Sequence, residues 1–201
     1  MFIFALLLSF IGSLPPGLIN LTVVQTAIRR GFRAAWILGF GAAATEYLQA
    51  LGAIWFTNWF LAHPAVEAGF RWVSAPLFLG LGAYYLLWAK PQGAVRAEAP
   101  VRARGLLFQG VSLSLVNLLA IPYWIAYCGW LKVGGYWEEG LWPTLQFAAG
   151  VTVGAQLAFG LYAWLGQAMV RRFDAVARWA NYVIGIVFLG LGLKMCWAIV
   201  G

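Results

Sequence analysis

Glu46 is the residue with the most evident chemistry in this chain. It stands in Gly41-Ala42-Ala43-Ala44-Thr45-Glu46-Tyr47-Leu48-Gln49-Ala50, inside a long apolar run. A charged side chain at the centre of a membrane span costs roughly 2.5–3.5 kcal/mol on insertion scales, so it is expected to face the bundle interior or a cavity. Gly39, Ala43, Ala50 and Ala53 recur with it at helical spacing, a stripe of small residues suited to close helix packing. Two readings follow. Glu46 carries a coupling proton or pairs with a substrate ammonium, its titration set by burial and partners. Alternatively it is structural, protonated or hydrogen-bonded to a neighbouring helix. Gln49, one turn further on, joins Glu46 as a candidate, although inter-helix hydrogen bonding is the ordinary role of Gln49, Thr152 and Gln156 inside spans.

A second constellation is Gly12-Ser13-Leu14-Pro15-Pro16-Gly17-Leu18-Ile19-Asn20. It lies within a run from Met1 that meets no charge until Arg29. Two prolines in succession remove backbone donors and clash with the preceding turn, so no helix continues through them. In hydrocarbon the freed groups cost several kcal/mol unless protein or a watery cavity satisfies them. Pro15, Pro16, Gly17 and Asn20 are therefore candidates for a site built on a broken span. Half-helix N-termini offer free N–H groups and partial positive charge, suited to a carboxylate. Asn117, in a later irregular stretch, is the matching candidate, and Pro122 predicts a kink or interruption close to it. Each asparagine could instead only repair broken backbone.

These residues need a scaffold, and composition says which kind. Of 201 residues 63% are hydrophobic and 9% charged, with a mean hydropathy of +0.82. Soluble domains average about 45–50% apolar and about 25% charged. An all-α integral membrane protein embedded in the lipid bilayer is expected. Runs long enough to cross a ~30 Å hydrocarbon core fall at about 2–27, 34–57, 70–89, 106–131, 142–165 and 180–200. These six spans make a single transmembrane domain over 1–201, with no room for a soluble one. The N-terminus lacks a basic region and an A-x-A-like cleavage site, so it reads as an uncleaved span.

The net charge of +7 resides in short loops and does not indicate a nucleic-acid partner. Arg29, Arg30 and Arg33, then Lys90, Arg96, Arg102 and Arg104, then Arg171, Arg172 and Arg178 lie in alternate loops, against Arg71 and Lys132 opposite. Positive residues favour the cytoplasm, so both termini are expected outside it. Lys194 either snorkels outward or faces Glu46. Trp55, Trp59, Trp72, Trp137 and Trp142 read as interfacial anchors. Cys128 and Cys196 are far apart and His63 is a lone histidine, so no disulfide framework, metal site, cofactor or enzyme chemistry is indicated.

The halves echo each other. Phe78-Leu79-Gly80-Leu81-Gly82 recurs as Phe188-Leu189-Gly190-Leu191-Gly192, and Gly12-Ser13-Leu14 with Asn20 loosely matches Gly110-Val111-Ser112-Leu113 with Asn117. Halves of about 1–90 and 105–201, with three spans each, would be oppositely oriented. That is the inverted-repeat layout of many secondary transporters, with the site near the midplane.

Pro16-Gly17-Leu18-Ile19-Asn20-Leu21, leading to Ile28-Arg29-Arg30-Gly31-Phe32-Arg33-Ala34, resembles the first-span signature of the LysE/RhtB family of amino-acid exporters. Gly41 through Glu46 is similar to that family's Gly-x-x-x-Gly-Asp stretch, with Glu46 at the acidic position. Phe108-Gln109-Gly110 with Ser114-Leu115-Val116-Asn117 resembles the start of its fourth span. Leu18 stands where the family has a second proline, and its Asn-Pro reads Asn117-Leu118. The resemblance implies proton-motive-force-driven export of amino acids or related small polar metabolites, with a small-molecule substrate as partner. Small-residue faces are compatible with a homodimer. Two rivals remain open from the residues: a membrane thiol–disulfide electron carrier, and a non-transporting scaffold.

Overall fold

A computed structural model describes residues 1–15, 17–63, 102–117 and 120–170, and the separate positions 72, 76, 79, 80, 82–84, 86–88, 182, 185, 186, 189, 190, 192, 193, 196 and 197. No described residue lies in a strand. The chain divides into two compact units, Met1–Thr57 with Gly93–Arg172, and Asn58–Gln92 with Phe173–Gly201.

Six helices have continuous bounds, all in the first unit except the end of α3 beyond Thr57: α1 Phe2–Gly12, α2 Leu18–Arg30, α3 Phe32–Leu61, α4 Ala103–Val116, α5 Ala120–Val133 and α6 Leu141–Val170. α3 and α6 have 30 residues each, about 45 Å at 1.5 Å per residue. Both are long and apolar enough to cross a bilayer. α1 and α2, of 11 and 13 residues, replace one continuous span, with the break where Ser13 to Gly17 predict it. Gly31, at φ +83°, turns the chain from α2 into α3 within one residue, a conformation that L side chains rarely adopt.

The run expected as a fourth span is interrupted too, but not at the proline. α4 closes on Asn117 and α5 begins at Ala120, so Pro122 falls in the first turn of α5. A helix's first turn has no internal acceptor for its N–H groups, so a proline there interrupts nothing.

Glycines bring backbones into contact at two places in this unit. A Cβ on Gly110 would overlap the Leu38 carbonyl oxygen, and one on Gly41 the Leu107 carbonyl oxygen, so α4 and α3 meet backbone to backbone. Gly150 and Gly154 of α6 receive α1 in the same way, at the carbonyls of Phe2 and Leu6. The Ser9 hydroxyl adds a 2.7 Å hydrogen bond to the Val151 carbonyl.

Two apolar clusters fill the unit. One gathers Ile19, Val23, Leu38, Ala43, Leu106 and Phe159 with their neighbours. The other gathers Ala5, Ala50, Trp124, Cys128, Phe147 and Val151 with theirs. Trp137 belongs to the second cluster, 8% exposed and under the Lys132 ammonium at 4.4 Å, which corrects its expected role as an interfacial anchor. Trp55, Trp59, Trp72 and Trp142 are exposed, as belt residues should be.

In the second unit, a Cβ on Gly82 would lie 2.7 Å from Leu189 Cγ, and one on Gly192 2.8 Å from Leu79 Cδ2. The two copies of the Phe-Leu-Gly-Leu-Gly motif thus pack on each other reciprocally, leucine of one onto glycine of the other. Most of the spans expected at 70–89 and 180–200, Lys194 included, lies outside the described residues.

Candidate functional site

The two apolar clusters occupy different levels along the helices, and several, though not all, of the interior polar groups stand between them. On α3 the clusters end at Ala43 and resume at Ala50, and between them stand Thr45, Glu46 and Gln49. The break between α1 and α2 lies between Ala5 of one cluster and Ile19 of the other. The break between α4 and α5 lies between Leu106 and Trp124 in the same sense. The interruptions and the buried carboxylate therefore share one polar layer across the interior.

Each break is mended by hydrogen bonds, some from residues beside it and some from other helices. The Asn20 side-chain amide, 4% exposed, donates to the carbonyls of Ser13 at 3.0 Å and Pro15 at 2.9 Å. Tyr162 of α6 donates to the Leu14 carbonyl. Tyr123 of α5 donates to the Leu8 carbonyl at 3.0 Å, its ring filling the space beside Gly12. The Asn20 and Tyr162 bonds satisfy carbonyls freed in the break, which hydrocarbon would leave without partners, while the Tyr123 bond ties α5 to α1. At the second break Asn117 acts through its backbone, its N–H on Ser114 O and its carbonyl accepting from Ala120. The Gln49 amide crosses from α3 to donate to that same Ser114 carbonyl at 3.0 Å.

Glu46 is 6% exposed. Nearby polar capacity is left over. With its Nε2 committed to Ser114, Gln49 has a buried Oε1 without a partner, and so does the Ser114 hydroxyl. A carboxylate, an amide oxygen and a hydroxyl with no partner leave polar capacity in this layer for a proton or a polar group.

Of the residues expected to form a site, the structure thus brings Glu46, Gln49, Asn20 and Pro15 into this layer, with the Asn117 backbone. Pro16 lies outside the described residues. Gly17 caps α2 in an extended conformation with open space where a Cβ would be, so neither backbone nor packing requires glycine there. Tyr123, Tyr162 and Ser114 were not anticipated. The available signal was a tyrosine well inside an apolar run rather than at its end. Among the described residues no group of His, Cys, Asp and Glu could hold a metal ion.

Residues 10–198 match the LysE type translocator family, and the chain belongs to that family. It is a membrane protein of translocator type. An uncharacterized membrane protein of Pseudomonas aeruginosa is 27% identical to it, covering 91% of this chain and 88% of the relative. A Bacillus subtilis protein named as a candidate amino acid efflux protein, YcgF, is 24% identical, covering 90% and 91%. No solved structure matches the chain.

Proposed function

We propose that this chain is a secondary exporter of amino acids or related small polar metabolites from the bacterial cytoplasm, driven by the proton motive force. The observation that carries this reading is Glu46, a carboxylate buried in the same polar layer as two interrupted spans. A static scaffold gains nothing from such a layer, which costs insertion energy and leaves backbone groups for side chains to mend. In the mechanism, Glu46 takes up a proton when open to the outside and gives it up, or pairs with a substrate ammonium, when open to the cytoplasm. Backbone N–H groups at the start of α2, with Asn117, are the partners for a substrate carboxylate.

Alternating access would come from an inverted repeat. Its support is the series of helix lengths, 11, 13 and 30 residues in α1 to α3 against 14, 14 and 30 in α4 to α6. The swapped glycine contacts, α1 on α6 and α4 on α3, and the reciprocal motif in the second unit point the same way. Both termini lie outside the cytoplasm in this reading. The test is untargeted metabolomics of culture medium with and without expression, repeated with Glu46→Gln. Enrichment of amino acids or similar metabolites that disappears in the variant supports the reading; an unchanged medium across the panel overturns it.

A further inference from the structure

The first unit carries an apolar groove of about 430 Å³ lined by Phe10, Phe32, Trp36, Leu157, Gly160, Leu161 and Trp164. It is a built feature rather than a gap between side chains. Gly160 makes its floor, and a Cβ there would run into the Trp36 ring. Phe32 and Trp36 stack with centroids 5.6 Å apart, forming one wall. Its position along the helices is informative. Phe10 lies just before the first break, at the polar layer, whereas Phe32 opens α3 next to the basic turn Arg29-Arg30-Gly31-Phe32-Arg33. The last turn of α2 packs on Gly166, just beyond Trp164. The groove therefore runs from mid-bundle to the basic end. Leu157 to Trp164 spans about 10 Å of helix, against the ~15 Å depth of one leaflet's hydrocarbon.

Charge decides which occupant fits. Arg29 and Arg33, three residues before and one after the groove residue Phe32, are exposed. No acidic residue precedes Glu46 in the chain, and α6 contains none. On α1, α2, α6 and the start of α3 the charged residues are therefore all basic. We propose that the groove binds one acyl chain of an anionic phospholipid whose phosphate is held by Arg29 and Arg33. Arginine forks match phosphate oxygens bidentately, while the aromatic wall takes the chain. The lipid would then lie against α1 up to its break, joining the headgroup surface to the helix that must move if the polar layer opens.

The test uses the full chain in nanodiscs containing phosphatidylglycerol or phosphatidylcholine brominated on identical acyl chains. The Trp36 and Trp164 share of emission is the difference between wild type and the Trp36→Phe/Trp164→Phe variant. Brominated phosphatidylglycerol should quench that share at about fivefold lower mole fraction than brominated phosphatidylcholine. Arg29→Gln/Arg33→Gln should remove the preference, and Arg29→Lys/Arg33→Lys should keep part of it. If the glutamine variant does not fold, wild type in 0.5 M salt serves instead, since screening must shrink a preference held by exposed charges. Equal quenching by both lipids, or a preference that survives loss of the arginines or high salt, overturns the proposal. So does the absence of quenching by either lipid, the result expected if a second copy of the chain covers the groove.

Discussion

The Gln49 side-chain amide donates to the Ser114 carbonyl at 3.0 Å, tying the helix that carries Glu46 to the end of the interrupted helix α4. One bond thus connects the buried carboxylate's helix to a break in a span from the other half of the chain. Gln49→Leu keeps the bulk and removes the donor. It should lower stability by about 0.5–1.5 kcal/mol, the worth of one interior hydrogen bond, since the Ser114 carbonyl keeps the Asn117 N–H. Transport should fall by more than the loss of folded protein explains. Thermal denaturation in detergent, set beside export per folded molecule, checks both parts.

Asn20 acts as a donor, because both of its hydrogen bonds run from its amide nitrogen to carbonyls. Asn20→Asp is nearly isosteric but cannot donate when ionised, so it should destabilise at least as much as Asn20→Ala, about 1–2 kcal/mol. An aspartate variant as stable as wild type would mean that the amide does not mend the break. The measurement is the melting temperature of the three proteins in one detergent.

Gly110→Ala should be poorly tolerated, because its methyl group would meet the Leu38 carbonyl, backbone that cannot step aside. A loss of about 1–3 kcal/mol is expected from such overpacking. Gly52→Ala is the control. Nothing lies within 4 Å of a Cβ there, and the gain in helix propensity should leave the protein as stable as wild type or up to about 1 kcal/mol more so. Thermostability profiles of the two variants give the comparison.

Cys128 and Cys196 are both free, Cys128 within an apolar cluster. Cys128→Ala/Cys196→Ala should therefore export at the wild-type rate per folded molecule. Loss of function in that double variant would revive a thiol–disulfide carrier as the explanation of the fold.

How much of this was legible in the sequence depended on how local the physics was. The first break could be read because two prolines forbid a helix whatever surrounds them, and Glu46 because a charge inside an apolar run needs a reason. The second break could not be placed. Its interruption follows Asn117, whereas Pro122, the visible breaker, sits where a first turn accommodates it. Tyr123 and Tyr162 were missed because their role lies in carbonyls more than 100 residues away, at Leu8 and Leu14. The same holds for Gly41 and Gly110, ordinary glycines until two helices cross at them. Asn20 mending the break was open as one of two readings, and its two bonds to Ser13 and Pro15 show that role directly.

The central claim is that Glu46 couples export to protons. It is tested most directly in proteoliposomes loaded with a mixture of amino acids, with efflux followed with and without an imposed proton gradient. Wild type should release substrate faster when the gradient is applied, and Glu46→Gln, with the same shape but no proton to exchange, should lose that acceleration. A Glu46→Gln protein whose efflux responds to the gradient as fully as wild type would contradict the coupling role of this carboxylate.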